Sequence, residues 1–316
     1  MKLRTKIGLG FGSLIVVSAA VGLVAVWGMR GVQRESTVLA DERVPQVEVA
    51  NLSERAVRDA GGDMREYFRT LDRKVYDEGL GHVAEIKASV EKARTLVARS
   101  EHLQDLAEGV TALDQHVKTY EATCQAVAQQ VEAVLAARTT IRQAGKAYAE
   151  ACTPYVDSMY ANLDKELGGD TPVERLRERV GKIRLAQSLV EIGDDVQKRI
   201  WDAQTERSAT ALLAAKEPLE KAIKLVDEIM PVTRQEVNRG YLNSIRAAAT
   251  QLGTAVEQIH GSWAKMDELG AQRLALDEKM IETVRVSADN GLRHTEDATR
   301  TAVGALGHWK TWAFFT

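Results

Sequence analysis

The 23 consecutive uncharged residues from Ile7 to Met29 constrain this chain more than any other feature. About 20 predominantly apolar helical residues cross the hydrocarbon core of a bilayer, whereas a secretory signal core runs only about 7–15 residues. Ser18, Ala19 and Ala20 would suit a signal-peptide cleavage site, but apolar residues continue for nine positions past Ala20. The stretch is therefore predicted to stay in place as a transmembrane helix over residues 7–29. Lys2, Arg4 and Lys6 precede it, so residues 1–6 are expected on the cytoplasmic side of the inner membrane and the rest in the periplasm. Trp27 lies near the outer end, where an indole suits the interface. Gly8-Leu-Gly-Phe-Gly12 is a GxxxG match, compatible with a homodimer but common in any apolar helix.

Beyond the anchor the composition favours long helices. The chain of 316 residues has only 5 Pro and 5% aromatics, so a sheet core would lack its usual residues. Formal charge is −3, and setting aside the three basic residues before the anchor makes it −6. That balance offers no electrostatic footprint for nucleic acid. Helix breakers divide the remainder into four rods. The first runs from about Val32 to Ser100 with an interruption expected near Gly79-Leu-Gly81, and the second from about Glu101 to Leu167. Gly168-Gly-Asp-Thr-Pro172 is read as a turn and helix start, with Thr171 and Glu174 forming a capping box and Pro172 in first helical position. The third rod runs from Pro172 to Met230, broken between Thr205 and Pro218. Thr233 and Glu236 form a second capping box, opening a fourth rod that continues to about Thr301. Pro45 and Pro154 are expected to kink their helices without ending them.

Rods of roughly 60 to 70 residues span roughly 90 to 105 Å, and short connections imply antiparallel neighbours. The fold predicted is all-α: an N-terminal transmembrane helix, then an elongated six-helix sensor of two stacked four-helix modules over residues 30–301. Residues 302–316 resemble the start of a second membrane helix, interrupted by His308-Trp-Lys310, and are expected to reflect truncation or aberration.

Little supports catalysis. Cys124 and Cys152 would lie roughly 40 Å apart along one helix, too far for an internal disulfide. The six histidines are scattered without metal-ligand spacing, and no nucleophile elbow or kinase signature occurs. No enzyme activity, cofactor or metal is expected.

Two features could hold an anion. In the first rod Arg55, Arg58, Arg65, Arg69 and Arg73 fall within an arc of roughly 80° at 100° per residue. Arginine is well shaped to grip a carboxylate through paired hydrogen bonds. The apolar stripe of that rod (Val57, Ala60, Met64, Phe68, Leu71) points nearly the opposite way, so periodicity alone puts the arginines on a solvated face. They would then meet a ligand only at a pocket rim or a second subunit. In the fourth rod Leu242, Ile245, Ala249, Leu252, Val256, Ile259, Trp263 and Met266 form a heptad seam. The same register next meets Gly270, Arg273 and Asp277 before Met280 and Val284. Either a stutter moves the seam to Leu269 and Leu276 and leaves Arg273 on the flank, or Arg273 enters a polar pocket in the core. Counting about 1.5 Å per residue from each membrane end puts Arg55 and Arg273 at one level, roughly 40 Å up.

The basic start Met-Lys-Leu-Arg-Thr-Lys-Ile-Gly-Leu-Gly-Phe-Gly-Ser, the helix lengths and the break positions resemble the N-terminal half of a bacterial methyl-accepting chemotaxis protein with a helical bimodular (HBM) ligand-binding domain. The resemblance covers residues 1 to about 301. It implies a chemoreceptor sensor for small organic acids such as C4 dicarboxylates or acetate. Arg55-Ala-Val-Arg58 would be the paired arginines of the first helix and Arg273 the arginine of the last. The alternatives are a histidine kinase sensor and a structural membrane-anchored coiled coil.

Overall fold

The computed structural model describes residues 3–100 and 102–313, and among them no strand occurs. The chain is α1 (Leu3–Val38), a five-residue π-helix (Leu39–Arg43), α2 (Val44–Thr70), α3 (Arg73–Arg99) and α4 (Gln104–Leu167). Then follow α5 (Val173–Glu206), the short α6 (Ala209–Leu213), α7 (Lys216–Ile229), a 3₁₀ turn (Met230–Val232) and α8 (Glu236–Ala313). Since α1, the π-helix and α2 are continuous and α6 is little more than one turn, the long elements among the described residues number six, and the all-α class expected from sequence holds.

The helix ends show which local signals prevailed. The first rod breaks at Leu71-Asp72, not at Gly79-Leu-Gly81, which lies inside α3. Leu71 adopts the left-handed conformation with φ 57° and returns its N–H to the Tyr67 carbonyl at 2.8 Å. The Asp72 carboxylate then accepts from Lys74 N at 2.9 Å and starts α3. Gly79 instead serves close packing: a Cβ there would lie 2.8 Å from Met64 Cε and 3.2 Å from Asp63 Cβ. Interior glycine costs a helix only about 1 kcal/mol, which a tight α2–α3 contact can offset. As a consequence Arg73 belongs to α3, and the arginine stripe of α2 ends at Arg69.

The third rod breaks inside its expected interval, where Arg207 has φ 51° and the Ser208 hydroxyl accepts from Ala211 N at 3.2 Å. Neither expected capping box forms. Pro172 is itself the N-cap of α5. The Thr233 hydroxyl donates back to the Ile229 carbonyl at 2.9 Å, so it closes the preceding turn in place of capping α8. Pro45 sits in the first turn of α2, directly behind the π-helix, so the wide turn absorbs the distortion expected of the proline. Pro154 lies inside α4, which continues to Leu167.

The described anchor residues expose their apolar side chains; Trp27 is 81% exposed, and Leu14, Ile15, Val16 and Leu23 are exposed as well. This is the one helix among the described residues long and apolar enough to cross a membrane. Of the final segment, residues 302–313 continue α8 as helix, while Phe314 to Thr316 lie outside the described residues, as do Met1, Lys2 and Glu101.

The chain forms two compact units: residues 1–124 with 273–316, and residues 125–272. In the first, α2 packs along α3, and Met64, Tyr67, Tyr76 and Ile86 are buried with Tyr120 of α4 and Met280 of α8. In the second, α5 packs with α7, and the core holds Tyr148, Leu189, Ile200, Ile229 and Leu242. Cys124 belongs to the first core and Cys152 to the second; both are free thiols, and burial pushes each up to about 12, so they stay neutral.

Two glycines on α5 give a test with opposite signs. A Cβ on Gly193 would lie 2.6 Å from Tyr148 Cε1, a ring already tied to the Leu189 carbonyl by its hydroxyl at 2.8 Å. A Cβ on Gly181 would meet nothing within 4 Å. Gly181→Ala should raise stability by up to about 1 kcal/mol through helix propensity. Gly193→Ala should instead lower it by about 1–3 kcal/mol through overpacking. Thermal or urea unfolding of the two variants measures both.

A buried arginine–aspartate pair as the candidate functional site

Burial along α8 decides between the two registers of the sequence. Val256, Ile259, Trp263, Met266, Arg273, Asp277, Met280 and Val284 are all buried, at steps of three and four once the half-buried Gly270 is counted. The heptad register therefore continues without a net shift. Leu269 is buried and takes the place that Gly270 leaves, while Leu276 is only half-buried. Two charged side chains thus occupy consecutive seam positions in the core of the first unit.

Arg273 is 2% exposed and Asp277 6%. One helical turn separates them, so their side chains meet on one face, with Arg273 Nη1 donating to Asp277 Oδ2 at 2.6 Å. The same Nη1 makes a longer contact to the Gly61 carbonyl of α2 at 3.4 Å. Gly61 makes room for the pair: a Cβ there would stand 3.0 Å from Asp277 Oδ2 and 3.2 Å from its Cγ. Any larger residue at position 61 would press on the carboxylate.

The pair is incompletely satisfied. Arg273 Nε, Asp277 Oδ1 and the Tyr120 hydroxyl are buried without hydrogen-bond partners. Tyr120 lies close enough to feel both charges, though its hydroxyl adopts no hydrogen-bonding geometry to either. Burial pushes the Asp277 carboxyl above the usual carboxylate range; Arg273, and more distantly Arg65 on α2, pull it back only in part. Burial likewise raises the Tyr120 phenol, so it remains a neutral donor.

The other arginines sit differently. Arg58 is exposed and donates to Glu54 at 2.6 Å, and Glu54 also accepts from Arg285 of α8 at 3.0 Å. Arg55 is exposed at the rim of an open groove of about 450 Å³, with Asn51, Leu52, Leu292 and Thr295. Arg69 is paired with Glu66, and Arg73 with Asp77 over the Tyr76 ring. Arg273 meets α2 at Gly61, on its buried side, six residues or about 9 Å beyond the level of Arg55. The chain thus places Arg55 and Arg58 on the outer side of α2 and Arg273 against the inner side. Sequence reasoning did not name Gly61, Tyr120 or Asp277 as site residues. The available signal was Asp277 four positions after Arg273 in an otherwise apolar seam.

A second buried polar layer lies nearer the π-helix. Arg43 donates to Gln46 Oε1 at 3.2 Å and to the His102 carbonyl at 3.0 Å, and Gln46 donates to the Ser287 carbonyl at 2.9 Å. Arg43 thereby ties the π-helix to the α3–α4 connection, and Gln46 ties α2 to α8. Among the described residues no cluster of side chains could hold a metal ion.

Asp277 gives a pH test. Its native pKa lies above the reference value of 3.8, so the folded chain holds the proton more tightly than the unfolded chain. That contribution is complete below about pH 3.8 and is lost as pH rises through the native value. The unfolding free energy of the unmodified chain, measured against Asp277→Asn, should therefore decline over that interval and then level off. A difference that rises with pH would mean Arg273 outweighs burial.

Comparison with known proteins gives one finding about family. The family model described as a four-helix-bundle sensory module for signal transduction matches residues 1–168, slightly more than half of the chain. No curated protein gives a match. The matched span includes the apolar helix and all of α2, α3 and α4, the elements that surround Gly61 and Tyr120. The chain belongs to the four-helix-bundle sensory modules of methyl-accepting chemotaxis proteins.

Proposed function

We propose that this chemoreceptor sensor region lies in the periplasm over residues 30–301, acts as a homodimer and binds a small organic acid, such as a C4 dicarboxylate or acetate, in its first unit. The observation that carries this reading is the state of Arg273. A guanidinium has five N–H donors, yet both hydrogen bonds of Arg273 come from Nη1 and its Nε is buried with none. A ligand carboxylate docking fork-on would satisfy two donors at once. It would also replace one carboxylate by another, so the buried guanidinium would never be left uncompensated.

Arg55 and Arg58 complete the proposed site from the exposed side of α2, where they would draw anions to the groove or meet a ligand shared with the second subunit. Moving Asp277 off Arg273 would alter how α8 packs on α2 at Gly61. Helix shifts of about 1–2 Å are typical of such switching, and α8 and the α1–α2 run are the elements that would carry them.

The opposing reading is a structural rod in which the pair only fixes helix register. A double variant separates the two. Losing one partner of a buried pair costs about 3–5 kcal/mol, whereas replacing both with apolar residues is often neutral or stabilising. Arg273→Met/Asp277→Leu should therefore fold at least as stably as the parent chain. Calorimetry of the full chain in nanodiscs, with succinate, malate and acetate, should show binding by at least one acid. The double variant should lose at least about tenfold in affinity, or about 1.4 kcal/mol. Arg55→Ala and Arg58→Ala should weaken it less. If none of the three acids binds the folded chain, this reading is wrong.

A further inference from the structure

The second unit contains a cavity that the first-unit site leaves unexplained. It measures about 650 Å³ and lies between the start of α5 and the connection from α7 to α8. Its wall carries four cations, Arg175, Arg179, Lys182 and Arg234, and one acid, Glu178. Neutralisation within the unit is partial. Glu178 accepts from Lys182 at 2.6 Å, and Glu166 grips Arg179 through two hydrogen bonds of 3.1 and 2.6 Å. Arg175 and Arg234 form no ion pair among the described residues, so two positive charges remain.

The same wall holds an unmet acceptor. Asn238 is 1% exposed, and its Nδ2 donates to Gln235 Oε1 at 2.7 Å. Gln235 is in turn held by reciprocal bonds with Asn162 at 3.3 and 3.2 Å. This chain of amides fixes the orientation of Asn238 and leaves its Oδ1 buried without a partner. Beside Thr233, which also lines the cavity, the Tyr155 hydroxyl is a second buried polar group without a hydrogen-bond partner, though Tyr155 itself is not part of the cavity wall. A buried polar atom without a partner costs about 1–3 kcal/mol, which a ligand donor would relieve.

We propose that this cavity binds a hydroxylated dianion, of which the phosphomonoester of a small polyol fits best. Two unpaired guanidinium groups call for two negative charges, and a phosphomonoester carries roughly −1.5 to −2 at neutral pH. Arginine forks match phosphate oxygens. Asn238 Oδ1 requires a ligand that donates, which a deprotonated carboxylate, a sulfate or a fully ionised phosphate ester does not do. A hydroxyl on the organic part does. A volume of about 650 Å³ leaves space for that part, within the usual range for small-molecule sites.

The site is independent of Arg273, because every residue in it belongs to the second unit. The test uses the full chain in nanodiscs of uncharged lipid, with calorimetry at fixed ionic strength. Glycerol 3-phosphate is the probe; methyl phosphate supplies the charge without a hydroxyl, and glycerol supplies hydroxyls without charge. Glycerol 3-phosphate should bind, and methyl phosphate should bind about tenfold more weakly, the loss of one hydrogen bond to a buried acceptor. Glycerol should give no heat of binding. Arg175→Ala and Arg234→Ala, both at exposed positions, should each weaken glycerol 3-phosphate at least about tenfold. Lys198→Ala, an exposed cation elsewhere on α5, should leave binding unchanged. The proposal is overturned by no binding of glycerol 3-phosphate, by equal affinity for methyl phosphate, or by an effect of Lys198→Ala as large as that of Arg175→Ala.

Discussion

A guanidinium taken almost entirely out of water must be neutralised close by, and in this chain Asp277 does so from one turn along the same helix. Much of the first unit follows from that requirement. The carboxylate can lie beside Arg273 only because position 61 of α2 is glycine. The guanidinium can reach across to α2 only because the Gly61 carbonyl is offered to it. Tyr120, on α4, closes the same space with a neutral hydroxyl. An apolar layer of the same volume would be at least as stable. Retaining charge there is what the proposed exchange of one carboxylate for another would require, a two-state event that close-packed leucines do not offer.

The anchor and the helical class were legible because both depend on many residues at once. An uncharged run of 23 residues, a scarcity of proline and aromatics, and a heptad seam are signals that no single position can overturn. The break between α2 and α3 was not legible. It depends on Leu71 accepting a left-handed conformation and on the Asp72 cap, while the more conspicuous Gly79 and Gly81 lie inside a helix. Glycine has two opposed uses, ending a helix or letting a neighbour approach, and only the position of Met64 shows which applies at Gly79. The capping boxes failed because the helices start elsewhere: Pro172 is itself the N-cap of α5, and Thr233 turns back to the Ile229 carbonyl while α8 begins at Glu236.

The site was legible in part. The seam register carried Arg273 and Asp277 inward as one of two readings, and burial along α8 selects that reading even though the alternative would have placed Leu276 inside. The partners could not be read, because Gly61 is 212 positions away in sequence and its role is the absence of a side chain. The arginines of α2 kept the outward direction that periodicity gave them. The cationic cavity of the second unit had no sequence signature at all. It gathers residues from α5 and from the turn before α8, and its defining feature is an amide oxygen left over from a side-chain network.

The central claim is that Arg273 is held ready by Asp277 and changes partner when a ligand arrives. Nuclear magnetic resonance of the Arg273 Nε–H, in full chain labelled with ¹⁵N-arginine and held in nanodiscs, observes that group directly. The account predicts a single, slowly exchanging signal from a buried, unbonded N–H in the free chain, and a downfield shift when a binding acid is added, as Nε gains an acceptor. A signal that stays in place while the acid saturates the chain would contradict it, and would move the binding event away from the buried pair.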